Sequence, residues 1–245
     1  MSKLFSFILL LVTVHLSMFA QEHKWMVYPS LGIDMGGAIP VPLSYIPDGA
    51  KGTPKLSPNI GLGCQYSMNE KWSIGLDVNY HVLSFTANAD VRSQAYWSDD
   101  RSYVQYFSGE THTDVELRFV EFPLTGLWHF GEKWSLVFGG YYSLILEGKF
   151  LSEGKDGIVH INKEVTDNAP LPGILNADMD YSDELDNYDA GILIGYQYKI
   201  NSRFLFWGRM HFGMKSIFIP EFQNLEYDMY QLRLSTGISY ALFAN

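Results

Sequence analysis

Charged and polar side chains alternate with apolar ones along several segments of the chain, a spacing that turns them to one side of a β-strand. Acidic members come mainly from earlier segments and basic members from later ones; the set is Asp34, Asp77, Glu121, Glu147, Asp189, Arg209, His211, Lys215 and Arg233. Buried charges must be paired, because an unpaired one costs several kcal/mol. We interpret the set as a polar network of paired charges in the interior of the fold, with Arg233 reaching Asp34 and Arg209 reaching Gln231 or a carboxylate on the opposite side. The alternative is a path for protons or ions, which needs an open interior.

Two other groups of residues could carry chemistry. Asp178, Asp180 and Asp183 offer the carboxylate oxygens that Ca²⁺ prefers, but their run lacks the glycine and the spacing of an EF-hand loop. It is more typical of a solvated loop, so no metal or cofactor is predicted. His129 and Ser135 could belong to a hydrolase of the lipid A deacylase type, yet the sequence places no third group beside them. The chain is therefore predicted not to be an enzyme.

The overall composition restricts the class of protein. The net charge of −10 opposes nucleic-acid binding, which requires a basic face. Cys64 is the single cysteine, which excludes an internal disulfide and a zinc cluster built from thiolates. Lys3, an apolar run over 5–14 and a small residue at Ala20 indicate a secretory signal peptide over residues 1–20, cleaved near Ala20-Gln21. Residues 21–245 then form one domain.

Strict alternation predicts β-strands throughout the rest of the chain. In the last segment, Tyr230 to Leu242, apolar residues occur at every second position, whereas a helix would require intervals of three and four. Similar segments are predicted at about 28–40, 57–68, 71–87, 113–130, 133–150, 188–199 and 204–215. Together they make eight strands, an even number of the kind found in bacterial membrane barrels.

Short and long connections alternate between the predicted strands. Tight turns occur at 69–71, 131–133 and 201–202, and long connections lie at about 41–56, 88–112, 151–186 and 218–226. Outer-membrane barrels have this arrangement, with short periplasmic turns and long extracellular loops. The 151–186 connection, rich in acidic residues, is predicted to be an extended loop, although 158–161 could briefly extend the preceding strand.

The two faces of the strands differ in a way that favours a membrane barrel over a soluble one. One face is rich in glycine and serine, which fit the crowded interior of a small barrel. The other is rich in leucine, isoleucine and aromatic residues, which suit acyl chains and their interfaces. The predicted fold is therefore all-β: an eight-stranded antiparallel transmembrane β-barrel with up-and-down topology, located in a Gram-negative outer membrane.

The segment Glu121-Phe122-Pro123-Leu124 resembles a motif of the outer-membrane β-barrel domain family that includes PorT-like proteins. The layout also resembles the OmpA- and OmpX-like barrels in size. This resemblance implies insertion by the barrel assembly machinery, although the chain ends two residues beyond its last aromatic, Phe243. Pro123 removes a backbone donor, and we expect a local bulge there.

The function predicted from these observations is that of a non-enzymatic outer-membrane protein. Its outer loops would contact a surface, ligand or partner protein, or its periplasmic face would serve a secretion or assembly machine. The other expected partners are outer-membrane lipid and lipopolysaccharide. A lipid-modifying enzyme and a narrow channel are the alternatives. The enzyme needs a serine, histidine and acid arranged on the outer face of the wall, and the channel needs a continuous hydrated lumen.

Overall fold

The computed structural model describes residues 24–46, 49–97, 104–160, 177–222 and 227–242, and their regular structure is almost entirely β. The strands are β1 (Trp25–Val41), β2 (Lys51–Lys55), β3 (Ser57–Ser67), β4 (Trp72–Trp97), β5 (Val104–Phe130), β6 (Trp134–His160), β7 (Ala177–Asp180), β8 (Tyr188–Lys199), β9 (Phe204–Ser216) and β10 (Asp228–Tyr240). Two single-turn 3-10 helices occupy Leu43–Tyr45 and Ser182–Glu184. No helix within these ranges is long and apolar enough to cross a membrane. The predicted signal peptide lies outside the described residues.

The strands close into an antiparallel barrel with eight wall positions. Around the wall the order is β4, β3, β1, β10, β9, β8, β6 and β5, and β5 pairs with β4 to complete the ring. β2 continues the position of β3 along β4, and β7 continues that of β8 along β6. Two wall positions are therefore each built from two strands, and the predicted eight-stranded meander is confirmed.

Tight turns join the strands at one end of the barrel, which we call the turn end. At two of these turns an asparagine side chain holds the backbone, as Asx-turns do. Asn69 accepts hydrogen bonds from the backbone N–H groups of Lys71 and Trp72, and Asn201 accepts them from Arg203 and Phe204. The short connections predicted from the sequence have these structures.

At the opposite end, three strands continue well beyond the rest of the wall. β4, β5 and β6 are 26, 27 and 27 residues long, against 13 for β9 and β10. Their far parts, residues 82–97, 104–118 and 147–160, form together with β2 and β7 a raised sheet that we call the crown. The long loop predicted at 88–112 is thus wrong for its described residues, which are paired strand. The loop predicted at 151–186 is wrong in the same way for 151–157, which belong to β6, and for 177–180, which form β7. The expected extension of the preceding strand over 158–161 is confirmed for 158–160, and residue 161 lies outside the described residues.

The outer surface below the crown is an apolar belt. Its side chains are exposed and large; they include Leu31, Ile33, Ile60, Leu62, Leu76, Leu124, Ile192, Ile194, Leu234 and Ile238. Exposed aromatic side chains surround its lower edge at the turn end: Trp25, Trp72, Trp128, Phe130, Trp134 and Phe204. Apolar side chains lie outside and polar ones inside, the arrangement expected of a barrel whose solvent is lipid.

Candidate functional site

The lumen is crossed by a layer of charged side chains that come from opposite walls. Arg233 on β10 forms a hydrogen-bonded ion pair with Glu121 on β5, and both side chains are fully buried. The same guanidinium donates a hydrogen bond to Nδ1 of His211 at 3.0 Å. Because arginine cannot accept a hydrogen bond, this nitrogen must be the acceptor. Strand alternation points all three inward, because each belongs to the polar set of its strand.

Asp34 on β1 belongs to the same charged layer. Its hydrogen-bond partners are an amide, a hydroxyl group and a histidine. It accepts hydrogen bonds from Asn59 at 2.7 Å and Ser235 at 2.6 Å, and it lies 2.5 Å from Nδ1 of His81. The expected direct pairing of Arg233 with Asp34 is therefore wrong, since Arg233 reaches across the lumen to Glu121 instead. The Arg233–Glu121 ion pair therefore connects β10 with β5 on the opposite wall.

A second ion pair crosses the lumen nearer the turn end. Arg209 on β9 donates to Asp77 on β4 at 2.7 Å, and Tyr28 on β1 donates to the other oxygen of the same carboxylate at 2.7 Å. Gly63 on β3 makes this approach possible, because a Cβ atom there would lie 2.1 Å from Asp77 Oδ1. The expectation that Arg209 reaches a carboxylate across the lumen is met by Asp77.

Two further residues of the predicted network occupy the edges of the charged layer. Asp189 is buried and accepts a hydrogen bond from Tyr141 at 2.9 Å. Lys215 is about a quarter exposed; it pairs with Asp186, and its ammonium lies 3.6 Å from the centre of the Tyr188 ring. Lys215 is thus at the upper margin of the lumen, where its charge is shared between an acid and an aromatic face.

Glu147 does not lie in the lumen, contrary to the sequence interpretation. The register between β5 and β6 shifts between Arg118 and Phe119, so that Leu146 is an extra residue and Glu147 turns outward. There it pairs with Arg118 at 3.0 Å on the exposed surface. This one-residue insertion moves every following side chain of β6 to the other face, and the alternation of residue types does not reveal its position.

The bulge predicted at Pro123 is wrong, because the β5–β6 register runs through that residue unchanged.

An apolar cluster closes the lumen directly above the charged layer, at the base of the crown. Leu83 and Phe119 are fully buried at the next inward positions after His81 and Glu121. Other buried members of the cluster are Phe85, Val115, Leu117, Phe150, Met179, Tyr181, Ile217 and Phe218. The guanidinium of Arg233 lies 4.9 Å from the centre of the Phe119 ring, so the two layers are in contact. Both layers would have to open before water could pass through the barrel.

The pair considered for hydrolase chemistry lies at the turn end. His129 Nδ1 is 2.7 Å from Ser135 Oγ, and His129 Nε2 is 2.7 Å from Ser73 Oγ. A catalytic triad needs one ring nitrogen on the nucleophile and the other on a carboxylate. Here both nitrogens bond to hydroxyl groups, so the ring joins three strands without the acid that would orient it for catalysis.

The acidic residues considered for calcium lie on the outer surface of the crown. Asp178 and Asp180 are on β7, and Asp183 is in the 3-10 helix that follows. Asp180 accepts a hydrogen bond from the backbone N–H of Ser182 at 2.9 Å, a local turn contact. Within the described part of the chain, no group of three or more histidine, cysteine or acidic residues is placed to hold a metal ion.

Sequence reasoning did not foresee a cavity of about 510 Å³ on the crown side of the apolar cluster. Its walls are mostly apolar and include Ala38, Ile46, Phe85, Ala87, Val91 and Met229. The sequence signal for it is the segment Gly36 to Pro40, where small residues and a proline lie within a predicted strand. We call this cavity the crown chamber.

The chain matches a protein-family model, and a search of solved structures finds several similar ones. A family model described as outer membrane protein beta-barrel domain matches residues 19–218. Three solved structures similar in layout are Ail, the attachment invasion locus protein of Yersinia pestis, in complex with the heparin analogue sucrose octasulfate (11% identity, 89% of this chain and 98% of that chain covered, TM-score 0.41), Neisserial surface protein A (10%, 88% and 96%, TM-score 0.39), and the outer membrane protein OprG from Pseudomonas aeruginosa (12%, 91% and 98%, TM-score 0.39). No curated protein matches the chain. At these identities and scores, no ligand or role follows from the likenesses.

Proposed function

The chain belongs to the outer membrane protein β-barrel domain family and is an outer-membrane protein, and from this premise we propose that it is a sealed, non-enzymatic surface barrel. Its crown stands outside the cell and contacts a ligand there. Lipid surrounds the belt, and the short turns face the periplasm, as they do in barrels of this type.

The observation that carries this proposal is the double closure of the lumen. Arg233 and Glu121 close the charged layer, and Leu83 and Phe119 close the apolar layer beside it. An eight-stranded barrel has room for side chains but not for a wide channel. These layers argue against the narrow-channel alternative and leave the outward surface as the place of function.

The crown is built to present a stable surface. Three strands of 26 or 27 residues carry it, and it has its own buried cluster, including Val115, Phe150 and Met179. Exposed ion pairs such as Lys55–Asp114 and Lys155–Glu153 lie on its outer face. A structure of this size above the membrane is more than closing a barrel requires, which supports a role in contact with a ligand.

Neither the enzyme nor the PorT-like role gains support from its residues. The two nitrogens of His129 both bond to serine hydroxyls, which leaves no place for a catalytic acid. Glu121 of the PorT-like motif is fully buried in the lumen, where it pairs with Arg233 and is out of reach of a partner protein. The motif is explained by the charged layer, so a secretion or assembly role is the weaker candidate.

Two measurements test the proposal. In planar bilayers, the purified barrel should show no steady ion conductance; a stable open level would contradict the sealed lumen. For orientation, we would replace Cys64 with serine and introduce a single cysteine at Glu153 in the crown or at Lys133 in a turn. On intact cells a membrane-impermeant maleimide should label Glu153→Cys and not Lys133→Cys, and the reverse pattern would overturn the topology.

A further inference from the structure

The wall of the barrel is not paired all the way around at the level of the crown chamber. β1 pairs with β3 only as far as Asp34 opposite Ser57, and the described pairings of β2 are all with β4. From Met35 to Val41 the described partners of β1 are therefore on β10 alone. In the described residues, the facing edges of β1 and β2 share no ladder, and this leaves a lateral gap in the wall.

We propose that this gap is a lateral opening through which a single-chain amphiphile enters the crown chamber from the outer leaflet of the membrane. The inference rests on the proposed function, because it requires the crown to be outside the cell. It adds the chemical class of the ligand and its route of entry.

The chamber has the size and lining of a site for an apolar chain. Its volume of about 510 Å³ falls within the roughly 300–1,000 Å³ of typical small-molecule sites. Apolar side chains such as Phe85, Val91 and Met229 make up most of the lining. The buried side chains of Leu83 and Phe119 close the lumen beyond it, so a molecule that enters is held rather than conducted.

The chamber is continuous with the outer face of the wall. Met35 and Leu234 line it, yet both are more than 40% exposed and belong to the upper part of the belt. Gly37, two residues along β1 from Met35, has no side chain, and a Cβ atom there would lie 3.2 Å from the Phe85 ring that lines the chamber. An apolar molecule in the outer leaflet can therefore reach the opening from the upper edge of the belt.

A polar cavity adjoins the chamber and identifies the ligand as an amphiphile. This second cavity, of about 480 Å³, shares Lys51, Asn88 and Thr111 with the chamber. Its remaining lining includes Asp90, Glu110, His112 and Lys155. A molecule with one apolar chain can thus place the chain among the apolar residues and its head group among these charges and amides.

The sequence keeps the two edges apart. Pro40 on β1 and Pro54 on β2 each lack the backbone N–H that a ladder needs. Leu56, between β2 and β3, is 70% exposed and interrupts the strand where pairing with β1 would otherwise continue. Unpaired edges usually attract another strand, and prolines are one way in which proteins prevent this.

A cross-link across the opening tests the route. In a Cys64→Ser background, Ala38→Cys and Thr53→Cys occupy positions that would face each other if the Asp34–Ser57 register continued. A fluorescent fatty acid is added to vesicles containing the protein, and bound probe is measured with the pair reduced, oxidised, or bridged by a bifunctional maleimide if no disulfide forms. Closing the opening should slow probe uptake by about tenfold or more. The control pair Leu31→Cys and Ile60→Cys joins edges that are already paired, and it should change nothing.

A second variant tests the chamber independently of the cross-link. Ala87→Trp fills part of the cavity, whereas Ser84→Trp on the same strand adds the same ring outside its lining. Loss of probe binding in Ala87→Trp alone supports the proposal, and equal binding in both variants would overturn it. If Ala87→Trp abolishes binding but the closed opening does not slow uptake, lateral entry is wrong.

Native mass spectrometry of the extracted protein identifies the source of the bound ligand, because a membrane lipid and a free fatty acid differ in mass. Ion conductance through the reduced, unmodified barrel would instead contradict the proposed function, and it would do so whatever the probe shows.

Discussion

Arg209 and Asp77 meet at 2.7 Å although they are 132 residues apart in the chain and stand on opposite walls of the barrel. Four strand positions separate β9 from β4 in either direction around the ring, and the same is true of β10 and β5, which carry Arg233 and Glu121. Both arginine–carboxylate pairs therefore act as struts across the full diameter of the lumen. We expect the loss of either pair to lower the stability of the whole barrel.

The first prediction concerns this strut. Arg209→Met leaves the Asp77 carboxylate buried without its charged partner, and removing one partner of a buried pair costs about 3–5 kcal/mol. The variant should unfold at a lower denaturant concentration in detergent. On a gel of samples heated in steps, it should change from the migration of the folded barrel to that of the unfolded chain at a lower temperature than the wild type. Adding Asp77→Asn should restore part of the stability, because the unpaired charge is gone.

The matched control is Arg118→Met, which removes an arginine whose partners Glu116 and Glu147 are on the exposed surface. Exposed pairs contribute about 0–1 kcal/mol, so this variant should be close to the wild type. Equal losses from Arg118→Met and Arg209→Met would contradict the assignment of Arg209 to a buried strut.

The second prediction concerns the height of the belt. Ile192 and Ile158 are both outward-facing isoleucines with about half of their surface exposed, but Ile192 is in the belt and Ile158 is in the crown. Arginine on the lipid face costs about 2–4 kcal/mol near the membrane midplane and much less near the interface. Ile192→Arg should therefore lower the free energy of unfolding in lipid vesicles by that amount, while Ile158→Arg should not. Similar losses at both sites would show that the crown is embedded in the membrane.

The layout of this barrel was accessible from sequence because alternation and turn chemistry are local. The inward positions of Asp77, Arg209 and Arg233 follow from counting along single strands, and so do the turns held by Asn69 and Asn201. The pairing of the charges depends on how the strands close into a ring. To predict it, one must know that β4 faces β9 across the lumen. Alternation also continues past the edge of the membrane, so it could not separate the belt from the crown.

The third prediction concerns pH and the edge of the proposed opening. Lys55 on β2 donates to Asp114 on β5 at 2.8 Å, and this hydrogen bond lowers the pKa of the Asp114 carboxyl below its usual 3.8. A carboxyl with a lowered pKa adds stability above the usual value, and that stability is lost as the pH falls through the lowered pKa. Both side chains are about half exposed, so the contribution should be at most ~1 kcal/mol.

Two-dimensional NMR titration of the Asp114 carboxyl should accordingly show a pKa that rises towards 3.8 in Lys55→Met. In detergent, the free energy of unfolding of the wild type should exceed that of Lys55→Met slightly at pH 6. This difference should disappear as the pH falls through the lowered pKa of Asp114. Lys155→Met serves as the control, because its partner Glu153 is on its own strand and neither touches Asp114. An unchanged Asp114 pKa in Lys55→Met would show that the pair is not formed in solution.

The last prediction concerns the acidic segment that the sequence suggested was a free loop. Met179 on β7 and Tyr181 after it are 5% and 4% exposed and belong to the apolar cluster that closes the lumen, whereas their neighbours Asp178 and Asp180 face outward. Truncating a buried methionine to alanine costs about 2–5 kcal/mol through lost burial and the cavity left behind. Met179→Ala should therefore loosen the crown, and protease added to intact cells should cleave within it, while the belt resists. Asp178→Ala, one residue away on the exposed face, should leave the cleavage pattern unchanged. If both variants were cleaved like the wild type, β7 would not be part of the folded crown, and the segment would be the free loop that its charge suggested.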